Sequence, residues 1–182
     1  MQIELIEHSI NTYLGQIQNG SSSEFDKQQW ALVRTGTTAN CNLTKDRTRV
    51  DFTILIKTRS EKAYLHWLKE VLFEQHPAEF TELQILTETK YSRISFVHAQ
   101  TDLKVSLNVN NITGIFNSKL IGHFNLVDVR FHKLSILLIR WHKDFLHFIE
   151  QQFVFPSRVK PRQIINVYAL QLMLATWMQH IG

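Results

Sequence analysis

The sequence predicts an α+β fold: a mixed sheet with packed helices, followed by a small helical annex. Three observations carry that prediction. Residues 48–57 and 103–109 alternate apolar and polar side chains, as half-buried strands do. Residues 2–18 and 127–148 repeat apolar side chains at helical spacing. The elements follow the order helix–strand–strand–helix–strands–helices, which fits helices laid on a sheet.

Element by element, Ile3, Ile6, Ile10, Tyr13, Leu14 and Ile17 give residues 2–18 one apolar helical face, and Asn19-Gly20-Ser21-Ser22-Ser23 reads as its end and a linker. Trp30 to Arg34 reads as a short strand before the turn Thr35-Gly36-Thr37-Thr38. In 48–57, Val50, Phe52, Ile54 and Ile56 point one way, and Arg49, Asp51 and Thr53 the other. Ser60 and Glu61 open a helix over 61–74 with Leu65, Leu68, Val71 and Leu72 as its stripe. Strands follow at 82–87 and 93–98, then at 103–109, where Lys104, Ser106 and Asn108 share the polar face. Helices are expected at 113–124 and 127–148, the second with Phe131, Leu134, Leu138, Trp141 and Phe145 on one side. After a loop with Pro156 and Pro161, residues 163–180 form the last helix.

Composition narrows the function classes. The 182 residues are 44% hydrophobic and 20% charged, which suits a packed core, and six glycines and three prolines exclude collagen-like or low-complexity chains. The single cysteine, Cys41, excludes a disulfide scaffold and a multi-cysteine zinc site. No run reaches the roughly 20 apolar residues of a membrane span. The opening Met1 to Glu7 is acidic and apolar, so neither a secretory signal nor a typical organellar presequence is expected, and the chain reads as intracellular. A formal charge of +4 and a pI near 9.3 are compatible with RNA or an acidic partner without requiring either. His142 and His147 are five apart, off the spacing of paired helical ligands, and no acidic cluster accompanies His123 or His132, so no metal site is expected.

The informative stretch runs from Asp102 to Lys143. It holds Ser106 on a strand, Asn110-Asn111, Asn117-Ser118-Lys119-Leu120, Asp128-Val129-Arg130, and Ile139-Arg140-Trp141-His142-Lys143. Upstream stand Gly36-Thr37 and Arg49-Val50-Asp51; downstream stands Val167-Tyr168-Ala169-Leu170-Gln171-Leu172-Met173. In order and spacing this resembles the template-independent nucleotidyltransferases, the non-templated poly(A) polymerases and terminal uridylyltransferases of DNA polymerase beta-like fold. The resemblance starts near residue 28 and covers nearly all the rest. It implies a palm-type nucleotidyltransferase domain over 1–110 and a helical central-type domain over 111–182, shorter than the family's, because the chain stops where the family continues into its nucleobase-recognition loop.

The same resemblance says which residues would work and which have changed. Nucleotidyl transfer employs two divalent cations held by three acids, and hard cations such as Mg²⁺ need carboxylate oxygens. The family's three acids correspond here to Arg49, Asp51 and Ser106, so the formal charge of the set goes from −3 to 0. An Arg49–Asp51 pair is expected to fill the cation's place. Of two helix lysines that reach the triphosphate, one position is Ile139 and the other is Lys143. Gly36, Thr37, Asn111, Asn117, Lys143 and Tyr168 stand where the family contacts nucleotide. Each also has a structural reading: Asn110 and Asn111 as turn residues, Tyr168 and Trp141 as core aromatics, Asp128 and Arg130 as groups at a helix start.

These residues lead to a catalytically inactive nucleotidyltransferase-fold protein, with no cofactor, acting as a structural subunit with protein partners in a multi-subunit complex. A degenerate RNA- or nucleotide-binding module is the alternative, supported by Arg158, Lys160 and Arg162 beside the retained Asn111, Asn117, Lys143 and Tyr168. One half of a split transferase, with acids from a partner or from Asp46 or Asp102, is another. There is no DNA signal. The cytoplasm or an organelle, the mitochondrial matrix included, fits the sequence equally.

Overall fold

A computed structural model describes residues 2–20, 29–40, 49–87, 91–152 and 166–181. Cys41, Asn42, Asp46, Pro156, Arg158, Lys160, Pro161 and Arg162 lie outside them. The elements are α1 (Gln2–Gly20), β1 (Trp30–Thr35), a single turn α2 (Gly36–Ala39), β2 (Arg49–Ile56), α3 (Glu61–Leu68), β3 (Phe80–Leu86), β4 (Arg93–His98), β5 (Leu103–Val109), α4 (Ile112–Val127), α5 (Val129–Gln152) and α6 (Val167–Ile181). Contacts divide the chain into two units, one of Met1–Thr38 and Asp46–Phe116, the other of Ala39–Lys45 and Asn117–Gly182. The division falls within α4.

In the first unit the five strands form one mixed sheet in the order β1-β2-β5-β4-β3. Only β2 and β5 run parallel; the other neighbours are antiparallel. The alternation legible in the sequence decides which side is covered. Val50, Phe52, Ile54, Ile94, Phe96, Val105, Leu107 and Val109 join one buried cluster with Ile6, Ile10 and Leu14 of α1 and Tyr64, Leu65 and Leu68 of α3. Spaced by four, the three α1 residues stack on one helical face.

Local chemistry sets the ends of several elements. Ser60 Oγ accepts from the Ala63 amide at 3.3 Å and caps α3. The helix expected over 61–74 is α-helical only to Leu68, after which Lys69–Phe73 form a π turn. The extra residue of that turn rotates Phe73 onto the buried face, where its ring lies 5.0 Å from Phe80 and 4.7 Å from Phe96. β3 begins at Phe80 and contains an irregularity between Thr81 and Gln84, where Glu82 takes a φ of 52°. That bulge interrupts the strand's alternation, and the strand expected at 82–87 runs from Phe80 to Leu86.

In the second unit Asp128 separates α4 from α5: its carboxylate accepts from the Arg130 amide at 2.7 Å. Asn166 caps α6 by accepting from the Ala169 amide at 2.7 Å, which accounts for a start at Val167. Phe124 and Phe131 meet edge to face at 5.5 Å. The stripe expected on α5 is corrected. Phe131 is buried, but Trp141 is 51% exposed, and Leu134 and Phe145 are exposed as well. The buried face of α5 instead carries Phe131, Ser135 and His142. The reason is non-local: the amide of Gln171, buried on α6, donates to Ser135 Oγ at 2.5 Å, so a polar pair holds the two helices together.

Candidate functional site

The functional positions of the first unit converge on the sheet's polar face. The pairing register places Thr35 beside Asp51, Asp51 beside Ser106, Ser106 beside Ser95, and Ser95 beside Gln84. One polar row therefore crosses all five strands. Adjacent strands lie about 4.8 Å apart, so Asp51 and Ser106 are immediate neighbours although distant in sequence. Thr53 and Asn108 form the next row, and Arg49 and Lys104 the previous one.

Gly36 follows β1 with a φ of 64°, a conformation that costs any other residue more than glycine. A Cβ there would stand 3.0 Å from Asp51 Oδ2, so the turn is laid directly against the carboxylate. On the other side Arg49 Nε lies 3.1 Å from Asp51 Oδ1. Asp51 is thus enclosed between a glycine turn and a guanidinium. Ser106 is buried, and among the described residues its hydroxyl has no hydrogen-bond partner.

These residues do not fit a pair of Mg²⁺ ions. The set offers one carboxylate, already paired with a cation, and one hydroxyl. Asp102 does not repair the deficit: it is an exposed turn residue with a φ of 54°, four residues before Ser106, or about 13 Å along a strand. Among the described residues no group of three or more His, Cys, Asp or Glu side chains could hold a metal.

The two asparagines have separate tasks. Asn110, at a φ of 50°, receives the Ile56 amide on Oδ1 at 3.0 Å and donates from Nδ2 to the Ile56 carbonyl at 2.9 Å. Its side chain thus extends the β5–β2 ladder by one step. Asn111 Oδ1 accepts from the Gly114 amide at 2.9 Å and caps α4. Within the second unit, Asn117 on α4 and Tyr168 on α6 are half-buried, and Lys143 on α5 is exposed. Asp128 and Arg130 form a fork with a closest contact of 2.9 Å. Hydrogen bonds from Arg130 hold the Asp128 carboxyl below its ordinary range.

The sequence reading put Lys104 and Asn108 on the polar face with Ser106 and missed Ser95 as a member of it. Only the register, a non-local quantity, puts Lys104 beside Arg49 and Ser95 beside Ser106.

No protein-family profile and no curated protein matches the sequence. Solved structures do. The chain is similar to the GLD-2/RNP-8 complex with a TM-score of 0.70 and 17% identity, over 98% of this chain and 54% of that one. It is similar to the Cid1 poly(U) polymerase bound to MgATP with a TM-score of 0.67 and 17% identity, over 94% and 47%. For mtPAP in complex with GTP the values are 0.62 and 17%, over 82% and 34%. The chain spans about half the length of these structures, or less. At this identity the likeness concerns fold. The five-stranded mixed sheet and its helices are the nucleotidyltransferase fold of the poly(A) and terminal uridylyltransferase-like proteins.

Proposed function

We propose that this chain is a catalytically inactive member of the nucleotidyltransferase fold and works as a structural subunit of a larger protein assembly. The supporting observation is the donor set at the centre of the polar face. Where the resemblance calls for three acids there are Arg49, Asp51 and Ser106, with Arg49 and Asp51 in contact at 3.1 Å. A two-metal displacement needs carboxylates to hold both ions, and this set can hold neither. Ile139, at a phosphate-clamp position, offers no charge and no donor. The palm-type and central-type domains expected at 1–110 and 111–182 belong to the same reading.

The subunit role is supported by the apolar surface of the second unit. Leu137, Trp141, Phe148, Met173, Trp177 and Ile181 are each more than half exposed. Clusters of large exposed apolar side chains mark surfaces that other polypeptide covers. GLD-2 was itself solved in a complex with RNP-8. Among the described residues no helix is long and apolar enough to cross a membrane.

The test is primer extension by the purified chain with an RNA oligonucleotide, Mg²⁺, and ATP or UTP. No extension is expected, while the chain at native level co-purifies in a stoichiometric protein particle. Mg²⁺-dependent extension by the chain alone overturns the reading. Extension that appears only in the purified particle supports the split-transferase alternative.

A further inference from the structure

We infer that α5 carries a docking stripe for an amphipathic helix with an acidic flank, supplied by another polypeptide; this rests on the reading of the chain as a structural subunit. Leu134, Trp141 and Phe148 follow one another at seven residues, the a positions of a heptad, with Leu137 at d and Phe145 at e. Such positions share one face of a helix. All five side chains are exposed, Leu137, Trp141 and Phe148 by more than half. Meanwhile Phe131, Ser135 and His142 give α5 a separate buried face, where Ser135 meets Gln171 of α6. The stripe is therefore a second face, not the one that holds the unit together. From Leu134 to Phe148 it runs about 21 Å, roughly four turns, which suits a helix better than a single side chain.

Charge selects the occupant. The g positions of the same heptads are Lys133, Arg140 and His147, so one flank of the stripe is basic. Lys133 and Arg140 are both exposed. The neighbouring acids do not cancel this flank. Asp144 stands at a d position and Glu150 on another face, while Asp128 is held by Arg130 at 2.9 Å. α4 adds Lys119 and no acid, and α6 adds no acid either. The whole second unit holds nine Lys and Arg against three Asp and Glu, a net charge of +6, whereas the first holds eleven against thirteen.

Flanking charges choose the partner of a heptad helix. A second copy of α5 laid antiparallel would set the basic flank against itself. Laid parallel, it would set that flank against Leu138 and Phe145 at e, which offer no charge. A helix with Glu or Asp on its flank gains an attraction at both Lys133 and Arg140, and its apolar side chains cover the stripe. Single-stranded RNA fits less well. Its bases need free aromatic faces, but Trp141 and Phe145 stack on each other at 5.1 Å with their planes 12° apart, and Leu134 and Leu137 have no ring.

The test is fluorescence anisotropy of the full chain with a labelled three-heptad peptide carrying Leu at a and d and Glu at e and g. The same peptide with Lys at e and g, and an oligo(A) RNA, are the comparisons. The Glu peptide should bind about tenfold tighter than the Lys peptide, from attractions gained and repulsions avoided at two flank positions. Lys133→Glu with Arg140→Glu should reverse that order, which a misfolded variant would not do. Lys57→Glu with Lys62→Glu, exposed in the first unit, changes the net charge equally and should leave the order intact. Trp141→Asp should abolish binding of both peptides. Equal affinity for the two peptides, an order that survives the reversal, no peptide binding, or displacement of the Glu peptide by RNA overturns the inference. So does a wild-type chain that sediments as a dimer and dissociates on Trp141→Asp. Native size of the tagged chain separates the two claims. A lone monomer defeats the subunit reading whatever the peptides do, and a stoichiometric particle from a chain that does not discriminate between them defeats only the docking stripe.

Discussion

Replacing Gly36 with alanine probes the enclosure of Asp51 directly. Two terms add. The backbone at 36 has a φ of 64°, and the left-handed conformation costs an L-residue about 1–2 kcal/mol. The new Cβ would sit 3.0 Å from Asp51 Oδ2, and Asp51 is held from its other side by Arg49. Crowding of that kind costs about 1–3 kcal/mol. Gly36→Ala should therefore lose roughly 2–5 kcal/mol in urea unfolding, seen as a lower midpoint at unchanged slope. The two terms separate in an Asp51→Ala background, where the crowding is gone and only the backbone cost of about 1–2 kcal/mol remains. A coupling of about 1 kcal/mol or more between positions 36 and 51 is the expected result. Equal cost of Gly36→Ala in both backgrounds, or no cost in either, would refute the packing of the glycine turn against the carboxylate.

Other positions give independent checks. Asn110→Ala removes both bonds to Ile56 and leaves its backbone groups unsatisfied; a loss of about 1–3 kcal/mol in the same urea assay is expected, and Asn110→Gly should recover only the backbone-strain part. Gln171→Ala removes the amide donor to the buried Ser135 hydroxyl and should cost about 1–3 kcal/mol, whereas Gln171→Leu combined with Ser135→Ala should cost less than either single change, as read by thermal unfolding. Glu79 gives a pH effect. Burial pushes its carboxyl upward, but hydrogen bonds from Ser9 and Tyr13 together with His98 outweigh that and hold it below the usual range near 4.5. A depressed carboxylate contributes stability that is present above its unfolded value and lost as pH falls through the folded one. Wild type should accordingly lose more stability than Glu79→Gln between pH 6 and pH 3; parallel acid profiles would contradict the assignment.

What the sequence could and could not disclose follows from the range of each interaction. β2 and β5 were legible because burial on one face writes a period of two into the chain itself. The Arg49–Asp51 contact was legible for the same reason: residues two apart on a strand share a face. Phe73 was not, since the π turn that buries it is a response to Phe80 and Phe96 from other strands. Nor was the orientation of α5. Apolar spacing favoured Trp141 and Phe145 as buried, whereas the hydrogen bond from Gln171, 36 residues away, turns Ser135 inward. At the site, Ser106 was identified by resemblance, and alternation put Lys104 on the same polar face. Its place beside Arg49 depends on a parallel register that no local pattern encodes.

The central position of β5 governs how this chain is made. β5 lies between β2 and β4, yet it is the last strand of the sheet to leave the ribosome. Its contacts with β2 span more than fifty residues, such as the bond from Asn108 to the Phe52 carbonyl at a separation of 56. Closing so long a loop is entropically costly and slow relative to hairpin formation. During synthesis the α1–β1–β2 and β3–β4 segments therefore wait as two partial sheets, each with a naked hydrogen-bonding edge. Such edges recruit other chains. Nascent chains stalled before Leu103 would be clients for chaperones, and the yield of folded protein would depend on how quickly translation delivers that one strand.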